Sequence, residues 1–439
     1  MRLMLPIVAT AVLATSAPAL AVDQTVLGAG NAAAGELAAR SPLVTSALAR
    51  IEQVIASIDD AKLKAATHDA LFNPNTCVTH RANLTAVDKD KIVAELISLG
   101  LINEADGKAF PGGAVTGVFP PLRDDGTACP HLPMAWGAAP GSGFTGHHSY
   151  PGGLPVHESF NLASAISFSE NYRLNVGLTG EDGLPRAALL PPQGSRDAVN
   201  RSDLVMNNDA IIAAPMWHDW AKPIVFQWNA DGSEFAEFNF GGNGETDVDG
   251  AKSDIKGDSR TGAHHILGIA ESMARDLPAP FIVIQASAHS APTLGHEYMV
   301  VNWLRSAAII AHVDPIARGY LVKDASGHFR LPPARTADNI DFLAVNAKLG
   351  NLSAETVIHN LSDADYIFAG PAVTASVAIL TRLASDYGFD PTDAAKFNNG
   401  FRNPALSYLS AERILIRYNH DGLAGVRHDL DALKKAKAI

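Results

Sequence analysis

Apolar residues recur along most of the chain at the three- and four-residue spacing of amphipathic helices. The stretch SPLVTSALARIEQVIASI, within residues 32–102, is an example. A period near 3.6 residues predicts helices that bury one face. The same spacing returns at residues 156–171, 202–217, 262–276 and 294–313, and again after Leu331. The pattern therefore predicts a mainly helical protein.

Two regions depart from this spacing. Residues 107–153 are rich in Gly and Pro, which is typical of a long loop. In IVFQWNADGSEFAEFNFGG, alternating apolar residues flank the dipeptide Asp231-Gly232. Alternation around such a dipeptide predicts a β-hairpin. We therefore expect an all-α fold with a small β-hairpin insert and flanking helices.

The first 21 residues have the form of a secretory signal peptide. Arg2 precedes a short apolar run that ends in Ala19-Leu20-Ala21, and small residues at this spacing favour cleavage after Ala21. We expect an exported protein, either periplasmic or secreted. No later apolar stretch is long and uninterrupted enough for a membrane helix, so no membrane span is expected.

Composition and charge narrow the range of partners. The chain has 439 residues, of which 47% are hydrophobic and 18% charged, enough to bury a substantial core. Its formal net charge of −12 disfavours nucleic acid, since phosphate backbones are bound by clustered Lys and Arg. A small-molecule substrate is the expected partner, and the pattern does not determine the oligomeric state.

The chain contains two cysteines, Cys77 and Cys129. In an oxidising exported setting an even pair predicts a structural disulfide. The alternative is two separate reduced thiols, because the sequence does not show whether the two Cα atoms come within bonding range.

The dipeptide His-Asp occurs four times, at residues 68–69, 218–219, 420–421 and 428–429. The pairs other than 218–219 lie in polar contexts and are expected at the surface. His218-Asp219 instead ends the apolar stretch NNDAIIAAPMWHD, and Lys222 follows four residues after the histidine. Imidazole and carboxylate are ligands that divalent first-row metals favour. We interpret this pair as the centre of a metal site.

Further candidate ligands flank this pair along the chain. They occur in HHSYPGGLPVHE, GAHHILGIAES, SAHSAP and AAIIAHVDP, and the residues are His157, His264, His265, His289 and Asp314. Each has a structural alternative, because a histidine on an apolar helix is more often a hydrogen-bonded core residue than a ligand.

The order His, His-Asp, His, His, Asp, with HD followed by xxK, resembles the HD superfamily of metal-dependent phosphohydrolases. The resemblance covers about residues 147–314. Within it, HHSYPGGLPVH is similar to the His-His-x-Tyr-x-Gly-Gly-Leu-x-x-His run of the HD-type 3′-to-5′ exoribonuclease group. It implies an HD-type helical core at residues 146–330, preceded by a helical and loop region at 22–145 and followed by packed helices at 331–439.

The resemblance also implies roles for individual residues. It implies two divalent ions, such as iron, manganese or nickel, with Asp219 bridging them. The first ion would be held by His157, His218, Asp219 and Asp314, and the second by Asp219, His265 and His289, with His264 as the alternative to His265. Lys222 would act in catalysis by neutralising a phosphoryl group, and His147, His148 and Tyr150 would contact the substrate.

The function that this implies is hydrolysis of a phosphoester or nucleotide-like small molecule by a metal-activated hydroxide. The RNA substrate of the exoribonucleases is not expected, because residues 22–145 do not suggest a basic β-barrel. One alternative is a dinuclear iron oxygenase, since inositol oxygenase has a similar ligand order. Another is a non-catalytic, metal-containing periplasmic binding protein, which would have a closed coordination shell.

Overall fold

The computed structural model describes residues 27–175, 178–179, 181–186, 206–234, 236–241, 259–292, 296–333 and 353–439. These residues are mainly helical, with three short two-stranded antiparallel sheets. This confirms the predicted all-α class with a small β insert. The expected signal peptide lies outside the described residues.

The N-terminal part begins with six helices, of which the second to the fifth are capped by a side chain at the first turn. Ser41 accepts a hydrogen bond from the Val44 backbone, and Thr85 forms a capping box with Asp88. The helices are α1 (Asn31–Arg40), α2 (Pro42–Ile55), α3 (Ala61–Phe72), α4 (Ala86–Ser98), α5 (Glu104–Ala109) and α6 (Gly113–Val118).

The Gly- and Pro-rich region is largely irregular, with α5, α6 and a 3-10 turn at Trp136–Ala138 inside it. Cys77 and Cys129 are bonded to each other, with their Cα atoms 5.2 Å apart. The disulfide ties this region to the segment that follows α3.

The helices around the candidate site form the centre of the main hydrophobic core. In α8 every residue from Ala210 to His218 is buried. Its sequence, NDAIIAAPMWH, is apolar on nearly all sides, which explains burial on every face. The helices are α7 (Gly153–Asn175), α8 (Asn208–His218), α9 (Lys222–Val225), α10 (Ala263–Ala274), α11 (Ala279–Gln285) and α12 (Glu297–Ile310).

The predicted hairpin is shorter than its alternation suggests. Trp228 and Glu234 form a single antiparallel bridge around the turn at Gly232, whose φ is 78°. The following Asn239–Phe240 pairs with Thr261–Gly262 instead of the first arm. The strands are β1 (Leu178–Thr179), β2 (Pro185–Arg186), β3 (Asn239–Phe240), β4 (Thr261–Gly262), β5 (Val322–Lys323) and β6 (Phe329–Arg330).

Five α-helices follow residue 353, and the last four of them build a second hydrophobic cluster. The five helices are α13 (Ala354–Ser362), α14 (Tyr366–Leu383), α15 (Ala394–Phe397), α16 (Asn403–Leu409) and α17 (Ala411–Lys435), with a π-turn at Asn398–Arg402. Helix α13 packs against α7, α8 and α11. In the described part of the chain, Ala354–Tyr387 is long and apolar enough to cross a membrane, and 44% of its most apolar window is buried in the protein. The absence of a membrane span therefore stays a prediction.

Candidate metal centre

Four side chains from three helices converge in the core. His157 lies on α7, the pair His218-Asp219 ends α8, and Asp363 caps the end of α13. His157 Nε2 lies 3.3 Å from Asp219 Oδ2 and 3.2 Å from Asp363 Oδ1. His218 Nε2 lies 3.3 Å from Asp219 Oδ1 and 3.6 Å from Asp363 Oδ1.

This geometry fits a bound cation. Bonds of about 2.1 Å to a tetrahedral or octahedral ion separate neighbouring ligand atoms by about 3.0–3.4 Å. His218 Nε2 and Asp219 Oδ1 are also buried, and neither has a hydrogen-bond partner among the described residues. Buried polar atoms normally have one. The residues of this group could therefore hold a metal ion.

A second group shares Asp219 with the first. His264 Nε2 lies 3.2 Å from Asp219 Oδ1. The His289 ring is exposed and lines the adjoining cavity. Donor atoms of these three residues all lie within 4.8 Å of one another, so they too could hold a metal ion.

Each of these four histidines has an oxygen atom within 2.9 Å of Nδ1. His218 Nδ1 lies 2.6 Å from the carbonyl oxygen of Pro215, and His289 Nδ1 lies 2.7 Å from Thr261 Oγ1. The partners of His157 and His264 at Nδ1 are Asp365, at 2.9 Å, and Glu237. Partners at Nδ1 help to fix the ring orientation. His157 Nε2 also lies 3.1 Å from Asn161 Nδ2, within hydrogen-bond distance.

The structure decides between the two adjacent histidines of α10. His265 Nδ1 lies 3.2 Å from Thr261 Oγ1, and its ring packs 4.3 Å from the His289 ring, measured between centroids. It belongs to none of the possible ligand groups in the described part of the chain. Successive residues of a helix point about 100° apart, so only His264 faces Asp219. The alternative ligand, not the first choice, is the one brought to the centre.

Asp314 is not brought to the centre. It lies in an exposed turn after α12, where its Oδ1 accepts hydrogen bonds from the backbone N–H groups of Ile316, at 2.8 Å, and Ala317, at 3.1 Å. Asp363 lies beside His157 and His218, in the position that the motif order implied for Asp314. The sequence does contain a signal for Asp363. In HNLSDADY this acid follows His359 by four residues, near the end of a helix.

The predicted substrate contacts His148 and Tyr150 are both buried and have other partners. His148 Nε2 lies 2.8 Å from Asp365 Oδ2, and His148 Nδ1 lies 3.0 Å from the Tyr150 hydroxyl. Burial opposes the charge of Asp365, but His157 and His148 outweigh it and lower the pKa of this carboxyl. Through Asp365 these two side chains connect to His157, and their contact with a substrate stays a prediction.

A cavity of about 470 Å³ opens beside both groups. Lys222 lines it, and its amine contacts Asp219 and the Gly141 carbonyl oxygen. His147 also lines it, with its ring 4.7 Å from the His157 ring. Lys222 and His147 are therefore placed where a small molecule can reach them. The lining residues are Ser142, His147, His157, Asp219, Lys222, Phe226, Glu237, His264, Ala288, His289, Asn360, Leu361, Asp363, Ala364, Tyr366 and Ile367.

The electrostatics around His218 favour a positive charge. Burial lowers the pKa of His218, but Asp219, Glu158 and Asp363 outweigh burial and raise this pKa to about 9. Burial raises the pKa of Glu158 itself to about 8. A divalent cation can take the place of the proton, since metal binding displaces protons from its ligands.

No family model, curated protein or solved structure matches the chain. The resemblance to the HD superfamily therefore depends on the motif residues themselves.

Proposed function

We propose that the protein is an exported metal-dependent phosphohydrolase of the HD superfamily. The observation that carries the proposal is that Asp219 is shared by two groups of donors at the edge of an open cavity. Two divalent ions would be held by His157, His218, Asp219 and Asp363 on one side and by Asp219, His264 and His289 on the other.

The cavity residues suit a phosphoryl group. When bound at these residues, two divalent ions would supply positive charge and would lower the pKa of a water molecule, as hydrolysis of a phosphoester requires. Lys222 adds a further cation beside Asp219, where it can neutralise nonbridging oxygens. Burial, together with His157 and Lys222, lowers the pKa of His147 far below its ordinary value. The neutral His147 ring can orient the substrate by a hydrogen bond without adding charge.

An open site supports an enzyme over a binding protein that uses the metal structurally. A purely structural metal is enclosed by protein ligands. Here His157, Asp219 and His289 are ligand candidates and also line the cavity. The ligand types suit iron, manganese and nickel alike, so metal analysis must separate the hydrolase from an iron oxygenase.

The first test is the metal content of the purified protein, measured by elemental mass spectrometry. We expect two divalent ions per chain and loss of at least one in His218→Ala. The matched control is His428→Ala, which removes the histidine of another His-Asp pair at an exposed position. No metal after reconstitution would contradict the proposal, and two irons with a mixed-valence spectrum would favour the oxygenase.

The second test is hydrolysis of p-nitrophenyl phosphate by the metal-loaded protein. We expect turnover that a chelator abolishes and that Lys222→Met lowers by about 100-fold or more, as for loss of a charge-stabilising group. Full metal content without turnover of phosphomonoesters or phosphodiesters would contradict the hydrolase.

A further inference from the structure

Large apolar side chains surround the mouth of the metal-site cavity. Leu361, Tyr366 and Ile367 line the cavity and are 46%, 52% and 66% exposed. Phe368, next in the chain, is 51% exposed. We call these four residues the apolar rim. Single exposed apolar residues are common on proteins, whereas a group of them beside a pocket indicates a binding surface.

The apolar rim and the metal ligands belong to one short segment, LSDADYIF, at residues 361–368. Its acids Asp363 and Asp365 turn inward to the histidines. Its large apolar residues therefore turn outward, which is the reverse of the usual arrangement in a soluble protein. A single ligand would explain this reversal. Its polar end would bind a metal held by the inward-facing acids, and its other end would cover the apolar rim.

Distances within the cavity show that one small molecule can reach both ends. The Tyr366 ring lies 6.1 Å from the His147 ring, which lies 4.7 Å from the His157 ring. The cavity volume of about 470 Å³ lies within the range of small-molecule sites.

The charges of the cavity limit the polar end of that molecule. Of the described residues that line it, Lys222 is the one Lys or Arg, and Glu237 is a further acid beside the ligands. Two divalent ions and one lysine suit a single phosphoryl group. The several charges of a nucleoside triphosphate would lack partners toward the mouth.

We propose that the substrate is a phosphomonoester of an apolar alcohol, with the phosphoryl group at the metal ligands and the alkyl or aryl part against the apolar rim. The proposal rests on the phosphohydrolase function. Water forms the new P–O bond, the bond to the alcohol oxygen breaks, and that oxygen takes up a proton. The products are inorganic phosphate and an apolar alcohol, with no oxidant or reductant required.

Calorimetric titration with non-hydrolysable alkylphosphonates tests this substrate class by binding alone. Methylphosphonate and hexylphosphonate are titrated into the Mn²⁺-loaded protein. Each methylene that reaches the rim tightens binding by up to about fourfold, so we expect hexylphosphonate to bind at least tenfold more tightly. The double variant Leu361→Ser/Ile367→Ser is expected to lose most of this gain and to keep methylphosphonate binding.

The control variant is Ile416→Ser, which removes an isoleucine that is 48% exposed on α17. We expect it to behave as wild type. Equal affinity for both phosphonates in wild type would overturn the apolar-substrate proposal and leave the phosphoryl site intact. A Leu361→Ser/Ile367→Ser variant that still binds hexylphosphonate more tightly than methylphosphonate would also overturn it. The same holds if that variant's defect is loss of binding to phosphatidylcholine vesicles. Failure of both phosphonates to bind would contradict the phosphohydrolase function itself.

Discussion

At the residue scale, the centre depends on which ring nitrogen each histidine presents. His157, His218, His264 and His289 each have a carboxylate, carbonyl or hydroxyl oxygen within 2.9 Å of Nδ1. Nε2 of the first three faces Asp219. Partners of this kind fix the tautomer and raise the basicity of a ligand. The same histidines without such partners would be mobile and would bind a cation more weakly.

The two candidate aspartates make a direct test at this scale. We expect Asp363→Asn to weaken Mn²⁺ binding by about 100-fold or more, because a lost ligand should cost at least as much as a lost supporting contact. We expect Asp314→Asn to have no effect, because that carboxylate caps an exposed turn. Competition with a fluorescent chelator measures both affinities. Weaker binding in Asp314→Asn alone would show that the site is assembled differently.

At the element scale, helix ends place both acids and two of the histidines. Helix α8 delivers Asp219 and α13 delivers Asp363, each just beyond its last turn. Helix α10 carries His264 near its start. The position of α10 is fixed near its other end by Glu271, which accepts hydrogen bonds from the backbone N–H groups of Thr79, at 3.0 Å, and His80, at 3.1 Å.

The Glu271 carboxylate predicts a pH-dependent contribution to stability. Burial raises its pKa, but His80 and Arg275 outweigh burial and lower this pKa from the ordinary 4.5 to about 2. A lowered pKa means that the folded state favours the ionised form. The stabilisation is therefore complete above about pH 4.5 and is lost as the pH falls from there to about 2, and its size is about 3 kcal/mol.

The matching variant is Glu271→Gln. We expect it to lower the free energy of unfolding by about 3 kcal/mol at pH 7, measured by urea unfolding, with a smaller difference from wild type at pH 3. The control is Glu104→Gln, whose carboxylate pairs with Lys108 at the surface. A Glu271→Gln deficit that is equal at both pH values would contradict the role of the charge.

At the scale of the whole molecule, two hydrophobic clusters meet around the loop that carries His147 and His148. The main cluster contains α8 and α10, and the second contains α14 to α17 together with Tyr150. Arg402 joins them, because its guanidinium donates to the carbonyl oxygens of Phe144, at 2.8 Å, and Ser149, at 3.0 Å. The site is therefore assembled only when both clusters are folded.

The disulfide stabilises the N-terminal part of this assembly. Cys77 and Cys129 are 52 positions apart, and closing a loop of this size stabilises a protein by about 4 kcal/mol through the entropy of the unfolded chain. We expect Cys77→Ala/Cys129→Ala to lose about this much in urea unfolding. Its metal content should match wild type, because no cysteine belongs to a ligand group in the described residues. Loss of metal from the folded variant would contradict this separation.

The sequence by itself determined the helical class and much of the metal centre. Period and composition are local properties, so they located α7, α10 and α12 to within four residues, and the end of α8 to within one. The predicted start of α8 is six residues too early. A dipeptide at the end of an apolar helix is also a local pattern, and it identified His218 and Asp219 as candidate ligands. The expectations for export and for the domain boundaries stay predictions.

Only the tertiary structure decided which distant residues complete the centre. Asp314 fits the order of the motif, but its turn points to solvent, whereas α13 packs on α7 and α8 and delivers Asp363. His264 is distinguished from His265 by the rotation of α10 against Asp219. His148 and Tyr150 are buried, because the direction in which their loop faces depends on the packing around it. Helix packing decides each of these outcomes, and packing depends on contacts between residues far apart in the chain.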